Sequence, residues 1–262
     1  MTGITSALWA ETLKMARSKV PLFTAVGFSI VPLIGGLFMV ILKDPEAAKS
    51  MGLISTKAQL MVGVADWPAF FNILAQAVAV GGAILFAIVT AWIFGREFSD
   101  HTAKELLALP TSRETIIGAK FIVIAMWTFT LSLFVFGFGL VVGNLVVIPG
   151  WSTELLQTAF VDILGSAALT IALLPFVAFI ASMGRGYLPA FGWTIFTVAM
   201  AQVAVITGRG DWFPWSIPAL FSGAIGPRAE QLGFHSYVII ILASLIGLAA
   251  TFSWWRNADQ TK

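Results

Sequence analysis

Long apolar runs separated by short polar clusters dominate this chain of 262 residues. The runs fall at about 20–42, 69–94, 116–148, 156–183, 187–207 and 234–255. Each is long enough for a helix to cross the hydrocarbon core of a bilayer, which takes roughly 20 residues. Apolar residues follow one another continuously in them, whereas the strands of a membrane β-barrel alternate. Lipid offers backbone N–H and C=O groups no partner, and a helix satisfies them within its own segment. The pattern therefore predicts an all-α polytopic membrane protein with six transmembrane helices in a single domain, 1–262.

Two amphipathic or broken segments flank these spans. Over residues 4–19, Glu11, Lys14, Arg17 and Ser18 share one arc of a helical wheel. Ile4, Leu8, Trp9, Leu13, Met15 and Ala16 take the other, with Lys19 intruding. This predicts an interfacial helix within 1–19, apolar side down in the headgroup region. The run that follows is long and lacks a small-residue cleavage pattern, so it reads as a retained span rather than a signal peptide. Between the fifth and sixth spans, residues 208–233 are too short and too rich in Pro and Gly to cross. Their apolar centre, about 213–226, predicts a re-entrant or interfacial segment on the outer side, with Asp211 and Trp215 as candidate pathway or gate residues. Asp162, inside the fourth span, is a third, because ionisable groups in spans usually face the bundle interior or water. Pro32 and Pro175 predict kinks. Asn72, Gln76, Asn144 and Gln202 predict interhelical hydrogen bonds, and the Gly139–Gly143 spacing and the Gly81-Gly82 pair permit close helix approach.

Charge sets the orientation. With the N-terminus inside, inner segments hold Lys14, Arg17, Lys19, Arg96, Lys104, Arg113, Lys120, Arg185, Arg256 and Lys262. Outer segments hold Lys43, Lys49, Lys57, Arg209 and Arg228. Ten against five places both termini in the cytoplasm. Trp67, Trp151, Trp212 and Trp215 then mark the outer interface and Trp92, Trp254 and Trp255 the inner one, while Trp127 and Trp193 read as packing residues.

Composition narrows the chemistry. The chain is 58% hydrophobic and 11% charged, against roughly 25% charged in soluble domains. It has no cysteine, so disulfide, thiolate and Cys-based metal chemistry are excluded, and its two histidines, His101 and His235, lack ligand spacing. A net charge of +2 gives no footprint for nucleic acid. No Gly-x-x-x-x-Gly-Lys-Ser/Thr sequence occurs, so no phosphate-cradling loop of that kind exists here. There is also no cluster of carboxylates, histidines or nucleophile with base that would mark a membrane enzyme.

One segment departs from the rest. Gly95–Lys120 holds eight of the 28 formal charges: Arg96, Glu97, Asp100, Lys104, Glu105, Arg113, Glu114 and Lys120. It contains two capping-box patterns, Thr102-Ala103-Lys104-Glu105 and Thr111-Ser112-Arg113-Glu114, separated by Leu109-Pro110. Proline lacks an amide hydrogen and biases the residue before it away from helix, so a short helix, a corner and a new helix are expected. The residues alone fit either a helix that docks a soluble partner or a solvated corner resting on headgroups.

This segment resembles the first cytoplasmic loop of ABC-2 type transporter permeases. The family pattern places an acidic residue at the end of the second span, then a small-Thr step, a Leu-Leu-x-x-Pro-x-Ser/Thr-Arg run and a Lys. Here those positions read Glu97, His101-Thr102, Leu106 to Arg113, and Lys120, with His101 standing where glycine is usual. Six spans and the "PWSIPAL" stretch at 214–220 also suit the family, and the subgroup it resembles serves bacitracin and lantibiotic self-protection. The resemblance implies a coupling helix, within a loop at 95–115, that seats on a separate cytosolic ATPase carrying ATP and Mg, with no cofactor in this chain. It implies that Glu97, Thr102, Lys104, Glu105, Leu106, Leu107, Leu109, Pro110 and Arg113 lie at or near that contact, flanked by Glu11, Lys14 and Arg17. It further implies a bacterial cytoplasmic membrane protein paired with a second or related permease, exporting an apolar or amphipathic compound such as an antimicrobial peptide or drug. The alternative is an ATP-independent membrane subunit that uses the same loop for interaction or regulation.

Overall fold

A computed structural model describes residues 3–44, 64–102, 105, 106, 110–224 and 232–257. Lys104, Leu107 and Leu109 lie outside the described residues, as do Lys49, Lys57 and Arg228.

Six helical spans form the molecule, and no strand occurs among the described residues. A short helix, α1 (Gly3–Arg17), precedes the first span, α2 (Val20–Lys43). The second span joins α3 (Trp67–Gln76) to α4 (Gly82–Ser99) through a π-helical turn at Ala77–Gly81. The third is α5 (Arg113–Leu145). The fourth joins α6 (Thr153–Ile171) to α7 (Leu174–Met183). The fifth is α8 (Tyr187–Ile206) and the sixth α10 (Phe234–Asn257), with the short α9 (Ile217–Phe221) between them.

The helix starts follow local chemistry. Asp66, Ser152 and Ser112 cap α3, α6 and α5, each side chain accepting from the amide three residues on. In the second predicted capping box the cap is therefore Ser112, one residue beyond Thr111. Pro175 sits in the first turn of α7, where its missing N–H is harmless, and the fourth span breaks immediately before it, at Ala172–Leu173. The expected kink at Pro175 is thus a full interruption.

Glycines let the spans close up. A Cβ on Gly143 would run into the Trp67 ring, and one on Gly139 into Leu74, so the second and third spans meet along this spacing. Gly247 lies against the Pro175–Phe176 backbone, where a Cβ would stand 2.9 Å from the Phe176 nitrogen. Trp67 and Trp255 are not headgroup markers: both are buried, and Trp255 Nε1 donates to Ser182 Oγ at 2.9 Å. Trp127 Nε1 donates to Thr24 Oγ1 at 3.1 Å and ties the third span to the first. Among the polar span residues, Gln76 reaches another element, donating to Gly223 O at 3.3 Å. Asn144 bonds Leu140 O on its own helix, and Asn72 and Gln202 are exposed on the bundle surface. The short Asn144 side chain bonds its own helix and needs no second one.

Candidate functional site

At one end of the bundle lie α1, the connection from α4 to α5, the turn from α7 to α8 and the end of α10. Gly95 on α4 approaches the Gly186 backbone, and Arg113 Nη1 donates to the Trp255 and Arg256 carbonyls at 3.0 and 3.3 Å. A guanidinium there satisfies carbonyls left open at the end of α10 and complements its negative pole.

Inside this end sits a quartet of charges. Lys120, on α5, has no exposed surface. Its ammonium donates to Glu11 Oε2, Glu97 Oε1 and Ile93 O, each at 3.0 Å. A lysine ammonium has three donors, and all three are used. Lys14 donates to Glu11 Oε1 and Glu97 Oε1, both at 2.8 Å. Thr102 Oγ1 supplies the second oxygen of Glu97 with a donor at 3.0 Å. The quartet is neutral, and each carboxylate oxygen has a partner. It joins α1, the end of the second span and the third span, and through Thr102 it reaches the first residue of the expected coupling helix. Removing one member of a buried pair strands the others and typically costs about 3–5 kcal/mol.

Burial pulls the Lys14 pKa down, but the Glu11 and Glu97 carboxylates outweigh it and hold the ammonium above its ordinary value of 10.5. Lys14 is therefore charged throughout the physiological range.

The structure sorts the residues picked out by the sequence. Glu97 and Glu11 are nearly fully buried in the quartet, where they tie α1 to the second and third spans. Glu11 and Met15 are the residues of α1 that become buried, so the polar arc of α1 also packs on the bundle, not only its apolar side. A carboxylate can turn inward here because two ammonium groups receive it. Arg17 and Glu105 are exposed, Thr102 and Arg113 half-buried, and Leu106 packs against the main core. Thr102 O accepts from the Leu106 amide at 3.0 Å, one helical turn. The Thr102 hydroxyl serves Glu97, where the capping box expects it to face Glu105. His101 has φ +58°, in the left-handed region that glycine adopts most cheaply. A hollow of about 280 Å³ between α1 and this turn is lined by Lys14, Arg96, Glu97, Thr102, Glu105 and Leu106.

The centre of the quartet, Lys120, stood outside the sequence-predicted set. The signal was available: a lysine inside an apolar run, opposite a glutamate at the end of the preceding one.

The opposite end holds Asp211 and Trp215. Asp211 Oδ2 lies 2.8 Å from His235 Nε2, and the Trp212 ring stacks on His235 at 4.5 Å. Two 3-10 turns, Gly210–Trp212 and Pro214–Ser216, lead into α9, and Ile217 and Leu220 are buried beside the fourth and sixth spans. Trp215 lines a cavity of about 30 Å³ together with Thr170, Thr194, Thr197 and Pro218. Asp211 and Asp162 do not line that cavity, and Asp162 is half-buried on α6. No group of three or more potential metal ligands occurs among the described residues.

Comparison with known proteins agrees with this architecture. A model of the family described as "ABC-2 family transporter protein" matches residues 7–201. The chain is also similar to a bacitracin transport permease protein of Bacillus licheniformis, 27% identical over 182 residues, covering 68% of this chain and 85% of that protein. No solved structure matches. The family match takes in α1, the quartet and the first four spans, and the chain belongs to the ABC-2 transporter family as a multi-pass permease subunit.

Proposed function

We propose that this ABC-2 family permease is the membrane half of an ATP-driven exporter and that the quartet end receives its motor. The observation that carries this reading is the quartet itself: Lys120 and Glu97 lock α1 and the Thr102 turn into one unit with the second and third spans. A force applied at Thr102 passes through Glu97 to Lys120 and Glu11 along direct side-chain contacts. The exposed carboxylate of Glu105 and the hollow beside it supply the contact for a cytosolic ABC ATPase, which holds ATP and Mg. The family resemblance assigns Lys104, Leu107 and Leu109, outside the described residues, to the same role. Arg113 holds the turn against the end of α10.

In this reading the quartet end faces the cytoplasm of a bacterial cell, in keeping with the ten-to-five distribution of Lys and Arg. Two permeases, identical or related, enclose the path. The cargo is an apolar or amphipathic compound such as an antimicrobial peptide. The sparsely charged spans and the relative's transport of bacitracin support that choice.

Affinity purification of the tagged chain from native membranes tests the assignment, beside Glu105→Lys. Glu105 is exposed, so reversing it leaves the fold intact, whereas an Asp at the packed Leu106 disturbs the core. Mass spectrometry should identify a nucleotide-binding ABC subunit with the wild type and much less of it with the variant. If no such subunit appears, even after crosslinking, the chain works without an ATPase and the regulatory reading replaces this one.

A further inference from the structure

Adjoining the hollow beside Glu105, and sharing Lys14, Arg96 and Asp100 with it, lies a wider groove of about 570 Å³ between α1, the end of the second span and the start of the fifth. Its walls carry three cations, Lys14, Arg17 and Arg96, and one anion, Asp100. Trp9, Trp92 and Tyr187 supply an aromatic rim. We propose that this groove is a binding site for the headgroup of an anionic phospholipid, the phosphate held by Arg17 with Lys14 and Arg96 beside it.

Charge accounting argues for a single phosphodiester. The quartet of Glu11, Lys14, Glu97 and Lys120 sums to zero. Arg96 Nε pairs with Asp100 Oδ2 at 3.1 Å, and its guanidinium lies over the Trp92 ring at 5.0 Å. Arg17 is exposed and has no carboxylate partner among the described residues. One uncompensated positive charge therefore faces the groove, and one phosphodiester carries one negative charge. Lys14 uses two of its three donors within the quartet, which leaves one for a phosphate oxygen. The Tyr187 hydroxyl makes no hydrogen bond among the described residues and is a further donor.

The rim argues for a lipid over a free anion. Trp9 is 64% exposed although it borders the groove, and Leu13 and Ala10 continue the apolar wall. Tryptophan and tyrosine favour headgroup depth, where the ring meets glycerol and upper acyl carbons while its polar edge stays wet. Basic side chains next to such a rim attract anionic lipid, each by about a factor of five. A soluble phosphate would gain nothing from this wall. Because Lys14 belongs to both the groove and the quartet, an occupied groove also braces α1 in the position that the quartet fixes.

The test is native mass spectrometry of the full chain in detergent with added lipid, paired with thermal unfolding. One phosphatidylglycerol should stay bound per chain and raise the unfolding temperature, while phosphatidylcholine and phosphatidylethanolamine do neither. Arg17→Gln should cut phosphatidylglycerol occupancy about fivefold. Lys19→Gln, two residues away but off the groove, should leave it unchanged. Equal retention of zwitterionic lipid, equal loss in the Lys19 variant, or the same stabilisation from inorganic phosphate alone would each overturn the proposal. None of these readouts depends on an ATPase, so the lipid site can fail while the exporter reading stands, and the reverse.

Discussion

The two ends of this bundle are closed by opposite means. At one, three charges are drawn inside the protein, Lys120 fully buried and Glu97 and Glu11 nearly so, with the half-buried Lys14 closing over them. At the other, the joints are aromatic and backbone contacts. Trp67 packs on Trp151 at 4.9 Å, Lys43 donates to the Val146 and Val147 carbonyls at 2.9 and 3.0 Å, and Ser216 Oγ donates to Phe213 O at 2.7 Å. The Asp211–His235 hydrogen bond at that end is partly exposed. Apolar and backbone joints tolerate the loss of a partner piecemeal. A neutral buried quartet does not, because each deletion leaves a net charge out of water. The charged end is therefore an all-or-none joint, suited to transmitting a displacement, and the other end is a lid of many small contacts.

The sharpest way to break the contrast is Lys120→Met. Removing the central ammonium leaves Glu11 and Glu97 facing each other with only Lys14 between them. Thermal or denaturant unfolding in detergent should register a loss of about 3–5 kcal/mol. His235→Ala at the opposite end should cost no more than about 1 kcal/mol, the range of part-exposed pairs. If the two variants lose equal stability, the distinction between the ends fails. Next comes Gly143→Leu, where the Trp67 ring already fills the space of a Cβ. Overpacking of this kind costs about 1–3 kcal/mol and should separate the second and third spans at the aromatic end while α1 stays docked, as protease protection of α1 would report.

A pH titration sharpens the comparison further. The folded-state pKa of Lys14 is raised above 10.5, so its contribution is complete below that value and is lost as the pH rises through the raised pKa. Wild-type stability should therefore fall on the alkaline side above about pH 10.5, and Lys14→Gln should flatten that limb. An unchanged limb would mean that Lys14 is not held by the two carboxylates. The smallest effect is expected at His101. Gly relieves the left-handed strain, and His101→Gly should change stability by less than about 1 kcal/mol, as a gain offset by unfolded-state freedom.

Much of this was legible in the chain. The six spans match the apolar runs to within a few residues, because in lipid continuous hydrophobicity and helix are nearly one statement. A bend near Pro175 and close approach at Gly139–Gly143 follow from residue shape, although the fourth span is interrupted before Pro175 and not merely kinked. The interior of the charged end was harder to read. A helical wheel assigns Glu11 to the wet face of α1, since nothing local shows that Lys120 and Glu97 wait beneath it, more than 80 residues further on. Burial of Trp67 and Trp255 escaped for the same reason: tryptophan at a span end fits a headgroup belt or a core equally until its neighbours are known.

The proposed seating of the motor at the charged end is directly testable because the chain has no cysteine. A photoactivatable crosslinker is placed on Glu105→Cys at that end and, in a separate variant, on Trp212→Cys, which is 63% exposed at the other. After illumination in native membranes, an ABC ATPase subunit should be recovered from position 105 and not from position 212. Capture at 212, or none at 105 in a correctly inserted chain, would contradict the account.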